Sequence, residues 1–410
     1  MPMSTSLHDL LPHLSCPECQ EPHRLSIESA SDARADEWRI ALREESRPDH
    51  QIVCNSCRRM FPISADGIPI LWSRVLEQTF GELDQDVSQV DPTEQDVKAA
   101  NIHVYDEISD AYDTEGVHAD EVTRSRLVNA YREATNSRTG THVDVGCGAG
   151  NVLEFFSAVL DGPKIGMDVS LSGLRAVRRK GYHAVLGDAE RLPFAESSLG
   201  LVTASSVLHH LYRPDRLIQQ AHRALSTGGV FLTDFDPNGR AAQWGWLALQ
   251  LYALRRPVYQ MLSLGRRRVF HGSEQVQTWN AVAEFHNKPG EGFDMGQLQA
   301  ALVTAGFELH RIFPHNCRDA SVNRGPFVKP SPRHLLVQAL SGRNPFARHN
   351  SDTLLTASVK PASSPVVHRD GRVSESAKQR IRELFAESQP GLQESDASVE
   401  SPKGTTVRAA

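Results

Sequence analysis

Two cysteine pairs, three spaced aspartates and a histidine pair are the residues whose types and spacing could do chemistry. Cys16-Pro17-Glu18-Cys19 and Cys54-Asn55-Ser56-Cys57 form two C-x-x-C knuckles. Each knuckle lets two thiolates reach one tetrahedral ion, and two knuckles complete a four-sulfur shell with no open position. That points to a structural zinc, held by Cys16, Cys19, Cys54 and Cys57, in a segment that otherwise lacks a large core. The alternative is free thiols or a redox dithiol, which more often stands alone at a helix N-terminus. A second centre is Val143-Asp144-Val145-Gly146-Cys147-Gly148-Ala149-Gly150. Its glycines let the backbone turn sharply and approach a ligand without a Cβ in the way. The G-x-G-x-G spacing departs from the dinucleotide fingerprint G-x-G-x-x-G, which argues against a pyrophosphate here. Asp168 and Asp188 follow on, where one carboxylate can hold ribose hydroxyls and the other can accept from an exocyclic amine; for both, capping of the next helix is the alternative. His209 and His210 complete the set, since an imidazole titrates near neutrality and can serve as a general base. Packing or capping is the plainer reading of that pair.

Short apolar runs alternate with amphipathic ones around these residues. Strands are expected at Thr141–Val145, Lys164–Met167, His183–Leu186, Leu199–Ser205 and Gly229–Phe235, with helices at about 151–160, Leu171–Lys180, Pro214–Leu225 and Asp294–Ala305. Such alternation implies right-handed βαβ units and a parallel sheet. Ligands bind beyond the carboxyl ends of strands in sheets of this kind, and the residues named above fall there.

The motifs VDVGCGAG, IGMDVS, GDAERLPFAESSLGLV, ASSVLHHL and HRALSTGGVFLTDF, in this order, resemble the class I S-adenosylmethionine-dependent methyltransferases, specifically the type 11 group, over about residues 100–315. The resemblance implies a Rossmann-like α/β domain with a mostly parallel, seven-stranded sheet and one antiparallel strand. It implies that Asp144, Gly146, Gly148 and Gly150 line the methionine end of the cofactor. It also implies that Asp168 with Val169 binds the ribose, that Asp188 with Ala189 reads the adenine, and that Ser205 lies close by. Ser205-Ser206-Val207-Leu208 stands where relatives that methylate base amines carry Asn-Pro-Pro-Tyr, which lowers the case for that acceptor. The cysteine knuckles, with Phe61-Pro62-Ile63 and Asp66-Gly67-Ile68-Pro69, resemble the Trm112-like zinc ribbons, small domains that often partner a methyltransferase.

The chain's 410 residues divide accordingly: a zinc ribbon at 1–75, a helical lead-in at 76–135, a methyltransferase domain at 136–330 and a disordered tail at 345–410 rich in Ser, Pro and Ala. Within the tail, Ile381, Leu384 and Phe385 suggest a transient or partner-binding helix. Gln20 to Val53 reads as an inserted loop or hairpin rather than core. An insertion at about 238–290, with Trp244, Trp246, Leu247, Leu249, Leu251, Tyr252, Leu254, Tyr259 and Leu262 at helical spacing, is expected to form a lid over the acceptor pocket, with packing against the sheet or a dimer contact as the alternative. His286 and Asn287 are candidates to line the pocket from the far side. Arg255, Arg256 and Arg266 to Arg268 suggest a solvated loop or an anion contact. Cys147 is a packing choice in the glycine loop, and Cys317 has no assigned role.

Net charge is −6, from 44 Lys and Arg against 50 Asp and Glu, which excludes a globally basic nucleic-acid coat. The expected function is methyl transfer to a small-molecule acceptor such as a quinone, a lipid-like compound or a secondary metabolite. RNA methylation with the ribbon gripping RNA is the alternative, and a non-catalytic scaffold the third reading. No basic start precedes an apolar run and no stretch is long enough to span a bilayer, so the expected location is cytoplasmic.

Overall fold

The computed structural model describes residues 7–43, 49–88, 90–115, 120–253, 274–317 and 330–362. Its N-terminal part is a three-stranded antiparallel sheet of β1 (Leu25–Ser29), β2 (His50–Cys54) and β3 (Met60–Pro62). The segment between the knuckles is more than a loop. It contributes β1 and a helix, Asp32–Ala41, that buries Ala35 and Trp38. Its polar composition conceals Trp38, Leu42 and Ile52, which pack inward.

The main sheet holds β4 (Ile70–Leu71), β5 (His142–Val145), β6 (Lys164–Asp168), β7 (His183–Gly187), β8 (Leu199–Ser205), β9 (Leu225–Pro237), β10 (Glu308–His315) and β11 (Thr353–Val359). Their spatial order is β10-β11-β9-β8-β5-β6-β7-β4. The chain reverses direction across the sheet at β5, between β6 and β8, which creates the crevice that open α/β sheets use for ligands. β11 alone runs antiparallel, between β9 and β10. Seven strands and one antiparallel member were expected. The eighth, β4, comes from the N-terminal segment and pairs in parallel with β7.

Two boundaries differ from the sequence reading. The tail expected from residue 345 contains β11, whose Leu354, Leu355 and Ala357 are buried. The helix at residues 381–385 lies outside the described residues. The ribbon segment also has no core of its own. Leu10, Leu14, Trp38, Phe61 and Trp72 belong to one apolar cluster with Val145, Met167 and Leu186, and residues 1–364 form a single unit.

The local grammar explains the helices that flank the site. In Leu171–Arg179 the residues Leu171, Leu174 and Val177 recur at helical spacing and are buried, while Ser170 caps the first turn by accepting from the Gly173 N–H at 3.1 Å. Met295–Ala305 starts on Asp294, which accepts from Gln297 N–H at 3.0 Å, and stops at Gly306 in the left-handed region.

Candidate functional site

A cavity lies at the carboxyl ends of β5 to β8. Asp144, Gly146, Gly148, Asp168, Val169, Asp188, Ala189, Ser205 and His210 all line it, and so do Cys147 and Ala149. Gly150 and His209 do not. Gly150 sits at φ +84° as the cap residue where the turn enters the next helix, and a Cβ there would come within 3.1 Å of Val177. Gly146 has φ +64°, and a Cβ there would come within 2.6 Å of Val207. Gly148 has φ +49° and open space where a Cβ would stand, as a backbone meant to touch a ligand requires.

The aspartates differ in what they leave available. Asp168 accepts from Gly148 N–H at 2.8 Å and Ser170 N–H at 2.9 Å, one bond per oxygen. Each oxygen retains a lone pair for a vicinal diol. Asp144 accepts from the Thr203 hydroxyl at 2.6 Å through one oxygen, while its other oxygen is buried without a partner. Burial pushes its carboxyl up to about 7; the Thr203 bond opposes the rise and the charge of Asp168 adds to it. The Ser205 hydroxyl is likewise buried and unpartnered. Orphaned polar atoms in a lined cavity await a polar ligand. The set fits S-adenosylmethionine: a diol acceptor, a carboxylate for a cationic end and an open glycine backbone.

Asp188 is more heavily used than the sequence suggested. It accepts from Lys98 Nζ at 2.9 Å, from the Ser73 hydroxyl at 2.6 Å and from Glu190 N–H at 2.9 Å. Lys98 also stands 3.5 Å from Glu94 and 3.5 Å from Glu190. Burial opposes the charge on Lys98, yet Asp188 and Glu190 outweigh it and raise its proton affinity. Sequence reasoning missed Lys98 and Ser73. The N-terminal segment thus reaches the cavity wall through Ser73, which follows the short edge strand after Trp72.

The histidines separate into two roles. His210 Nδ1 donates to the Ala283 carbonyl at 2.9 Å, because a carbonyl can only accept. Its Nε2 lone pair then faces the Tyr105 hydroxyl at 2.9 Å, and the two rings meet edge-on. Burial, followed by the neighbouring His209, holds the His210 proton affinity well below the imidazole range. His210 is therefore a neutral acceptor at the cavity, with Tyr105 beside it. His209, expected as a second catalytic candidate, does not line the cavity. Its Nδ1 pairs with Asp236 at 2.9 Å, its backbone N–H reaches the same oxygen at 3.1 Å, and its Nε2 lies 3.6 Å from Glu284. Two non-glycine residues in the left-handed region, Ser206 and Phe235 at φ +61°, mark the strand ends beside it. Such strain gathers at functional sites.

The expected lid is corrected in part. No residue of 238–253 lines the cavity; Trp246, Leu247, Leu249 and Leu251 are exposed. The later part, helix Glu274–Ala283, does not line the cavity either, but it touches residues beside it. Trp279 stacks on His103 and Ala283 holds His210. His286 is half-buried, and it and Asn287 lie outside the cavity lining. Leu254, Tyr259, Leu262, Arg255, Arg256 and Arg266 to Arg268 fall outside the described residues.

The four cysteines converge. Cys16 and Cys57 sulfurs stand 3.7 Å apart, Cys19 and Cys54 sulfurs 3.6 Å apart, and all four lie within 4.8 Å of one another. Zinc–sulfur bonds near 2.3 Å in a tetrahedron imply sulfur–sulfur edges of about 3.8 Å. The shell fits that ion. Cys317 contributes its carbonyl, which accepts from Arg126 at 3.2 Å.

Residues 143–233 match a family described as a methyltransferase domain. That stretch is similar to methyltransferase domains over 91 of the 410 residues. A relative from Mycobacterium ulcerans, phthiotriol/phenolphthiotriol dimycocerosates methyltransferase 1, is 30% identical over 134 residues, which is 31% of this chain and 49% of the relative. The mitochondrial 2-methoxy-6-polyprenyl-1,4-benzoquinol methylase of Bos taurus is 38% identical over 64 residues, 15% of this chain and 19% of its own. The chain thus spans at most about half the length of these two relatives. A solved complex of the Haloferax volcanii Trm112 methyltransferase activator with a methyltransferase aligns at 15% identity and TM-score 0.39, over 63% of this chain and 97% of that one. The domain's matched residues run from β5 to the middle of β9, so they include Asp144, Asp168, Asp188 and His210.

Proposed function

We propose that the chain transfers the methyl group of S-adenosylmethionine to a small, largely apolar acceptor of lipid-like or quinone type. The observation that carries the reading is the cavity itself, in which Asp144, Asp168, Ser205 and the open Gly148 backbone offer unspent polar groups. The two relatives named for lipid and quinol substrates support the acceptor class. The bound sulfonium supplies an electrophilic methyl, so the protein's task is largely orientation. Asp168 holds the ribose diol, Asp144 faces the cationic methionine end, and Ala189 with Asp188 borders the adenine. Tyr105 and His210 sit where an acceptor hydroxyl would enter. The acceptor's proton moves to the Tyr105 oxygen as the Tyr105 proton moves to His210 Nε2.

Calorimetric titration with S-adenosylmethionine tests the cofactor half. Asp168→Ala removes two charge-assisted hydrogen bonds to the ribose, each worth about 1.5–3 kcal/mol, so affinity should fall by a hundredfold or more. Absence of heat with the unmodified protein would sink the reading. For the acceptor half, methyl-labelled cofactor incubated with a lipid extract, a polar extract and RNA should place label in the lipid fraction.

Asp144 makes binding pH-dependent. A carboxyl raised to about 7 is mostly neutral below that pH, and the neutral form attracts the cofactor's cationic end less. Affinity should rise by about tenfold from pH 6 to pH 8. Asp144→Asn should flatten this profile, leaving only the titration of the cofactor's own amine, which methylthioadenosine controls lack.

The cysteine shell is proposed to hold zinc as a structural ion. Removing it with a chelator should loosen the N-terminal segment and free Ser73 from Asp188, with cofactor affinity falling in parallel. Metal analysis that finds no zinc in protein refolded with excess zinc would count against the assignment.

A further inference from the structure

Two stretches of this acidic chain contain no carboxylate. From Pro237 to Ser273 the sequence holds six arginines and no Asp or Glu, and from Ala320 to Ser351 four arginines and a lysine, again with no Asp or Glu. Eleven of the chain's 44 cationic residues fall in these two stretches, and four of them, Arg240, Arg333, Arg343 and Arg348, are among the described residues. The described parts of these stretches, 237–253 and 330–351, meet in space. Gly245 N–H donates to the Ser341 hydroxyl at 2.8 Å, and Gln338 Nε2 donates to the Ala241 carbonyl at 2.9 Å. Arg240 Nε reaches Asn350 at 3.2 Å, and the Arg333 guanidinium stands 6.0 Å from the Trp244 ring centre.

The same surface carries an unusual share of exposed apolar side chains. Trp246 is 70% exposed and Leu247, Leu249, Leu251, Leu336 and Phe346 between 39% and 57%. Among the described residues, Ile40 and Val90 are the only other large hydrophobics so exposed. Within the helix 246–253, Ala248 is buried and Tyr252 half-buried, which fixes the inner face; the outer face is leucine, tryptophan and one glutamine. Soluble surfaces rarely gather such residues without a partner.

We propose that this face docks on an anionic lipid bilayer. An apolar, tryptophan-bearing helix near Arg240 and Arg333, with the nearby Asp352 already paired to His334, has the composition of an element that lies in the membrane interface. It would rest on the bilayer rather than cross it, and no described helix is long and apolar enough to span one. A second copy of the chain fits the surface less well, because a two-fold contact would bring arginines against arginines. Single-stranded nucleic acid also fits less well, since leucines offer no stacking platform and bases need one. The surface leaves the sheet at Pro237, the carboxyl end of β9, and the cavity lies at the carboxyl ends of the neighbouring strands. Docking would therefore present the cavity's side of the molecule to the lipid. The proposal stands on composition and exposure, and does not depend on methyl transfer.

Flotation of the full chain with vesicles tests it. The protein should float with phosphatidylcholine–phosphatidylglycerol vesicles, stay behind with phosphatidylcholine alone, and lose flotation at high salt. Trp246→Gln with Leu247→Gln should weaken partitioning by roughly tenfold, and Arg240→Gln with Arg333→Gln should do so through charge alone. Circular-dichroism melting verifies that each variant folds, and the two pairs act independently should one of them fail. Absence of flotation with anionic vesicles overturns the proposal, as does equal flotation of both variants and the unmodified chain. A shift from dimer to monomer in the variants, with flotation unaltered, assigns the face to self-association instead.

Discussion

Replacing His210 by Ala should leave S-adenosylmethionine binding in place and lower turnover by about 10²–10⁴-fold, the range a positioned general base supplies. The expectation comes from its hydrogen bonds. The Ala283 carbonyl fixes the proton on Nδ1, so Nε2 presents its lone pair to the Tyr105 hydroxyl. Tyr105→Phe keeps the ring packing and removes the relay oxygen, so it should lower kcat in the same direction with little change in cofactor affinity. Because burial keeps the His210 proton affinity well below the usual imidazole range, the rate should show no histidine limb near pH 6.5. Turnover unaffected by both substitutions would remove the pair from the mechanism and leave orientation alone as the source of rate.

The second large effect concerns stability. Arg126 and Asp234 are both fully buried, with Nη2 2.8 Å and Nε 2.9 Å from the same carboxylate oxygen. His315 meets the other oxygen at 2.7 Å, and the guanidinium lies 4.7 Å from the Phe235 ring centre. Arg126→Met would strand a buried carboxylate and should cost about 3–5 kcal/mol, read from denaturant unfolding. Exchanging both partners, Arg126→Met with Asp234→Leu, should recover much of that loss. Burial raises the Asp234 carboxyl, but Arg126 and His315 outweigh it and hold it at about 2. A carboxyl lowered on folding stabilises the protein above its ordinary range, and that contribution fades as pH falls through about 4 toward 2. Asp234→Asn should remove that acid limb. Equal stability of Arg126→Met and the unmodified chain would contradict the buried pair.

What the sequence made readable was the part whose physics is local. Glycines bounded β5, aspartates closed β6 and opened the turn after β7, and their alternation with amphipathic helices specified a parallel sheet. The cysteine spacing brought four sulfurs together across some forty residues. Long-range partners were hidden. β4 is two residues long, too short for a periodic signal, and β11 lies in a region whose serines and prolines outweigh its Thr353–Val359 alternation. Lys98 and Ser73 looked like ordinary polar residues until the fold placed them on Asp188. Trp246 and its neighbours misled in the opposite way: helical apolar spacing suggests burial, and here it describes an outward face.

The position of β11 bears on how the chain is made. On a ribosome adding about 5–20 residues per second, β9 is complete more than a hundred residues before β11 emerges to pair with it. For a time on the order of ten seconds β9 keeps one unsatisfied edge, and for the last few seconds of it β10 has no neighbour at all. Such edges invite pairing with other nascent chains. Translation is thus the interval in which this protein most needs a chaperone, and slowing the ribosome between residues 237 and 353 should lower its soluble yield.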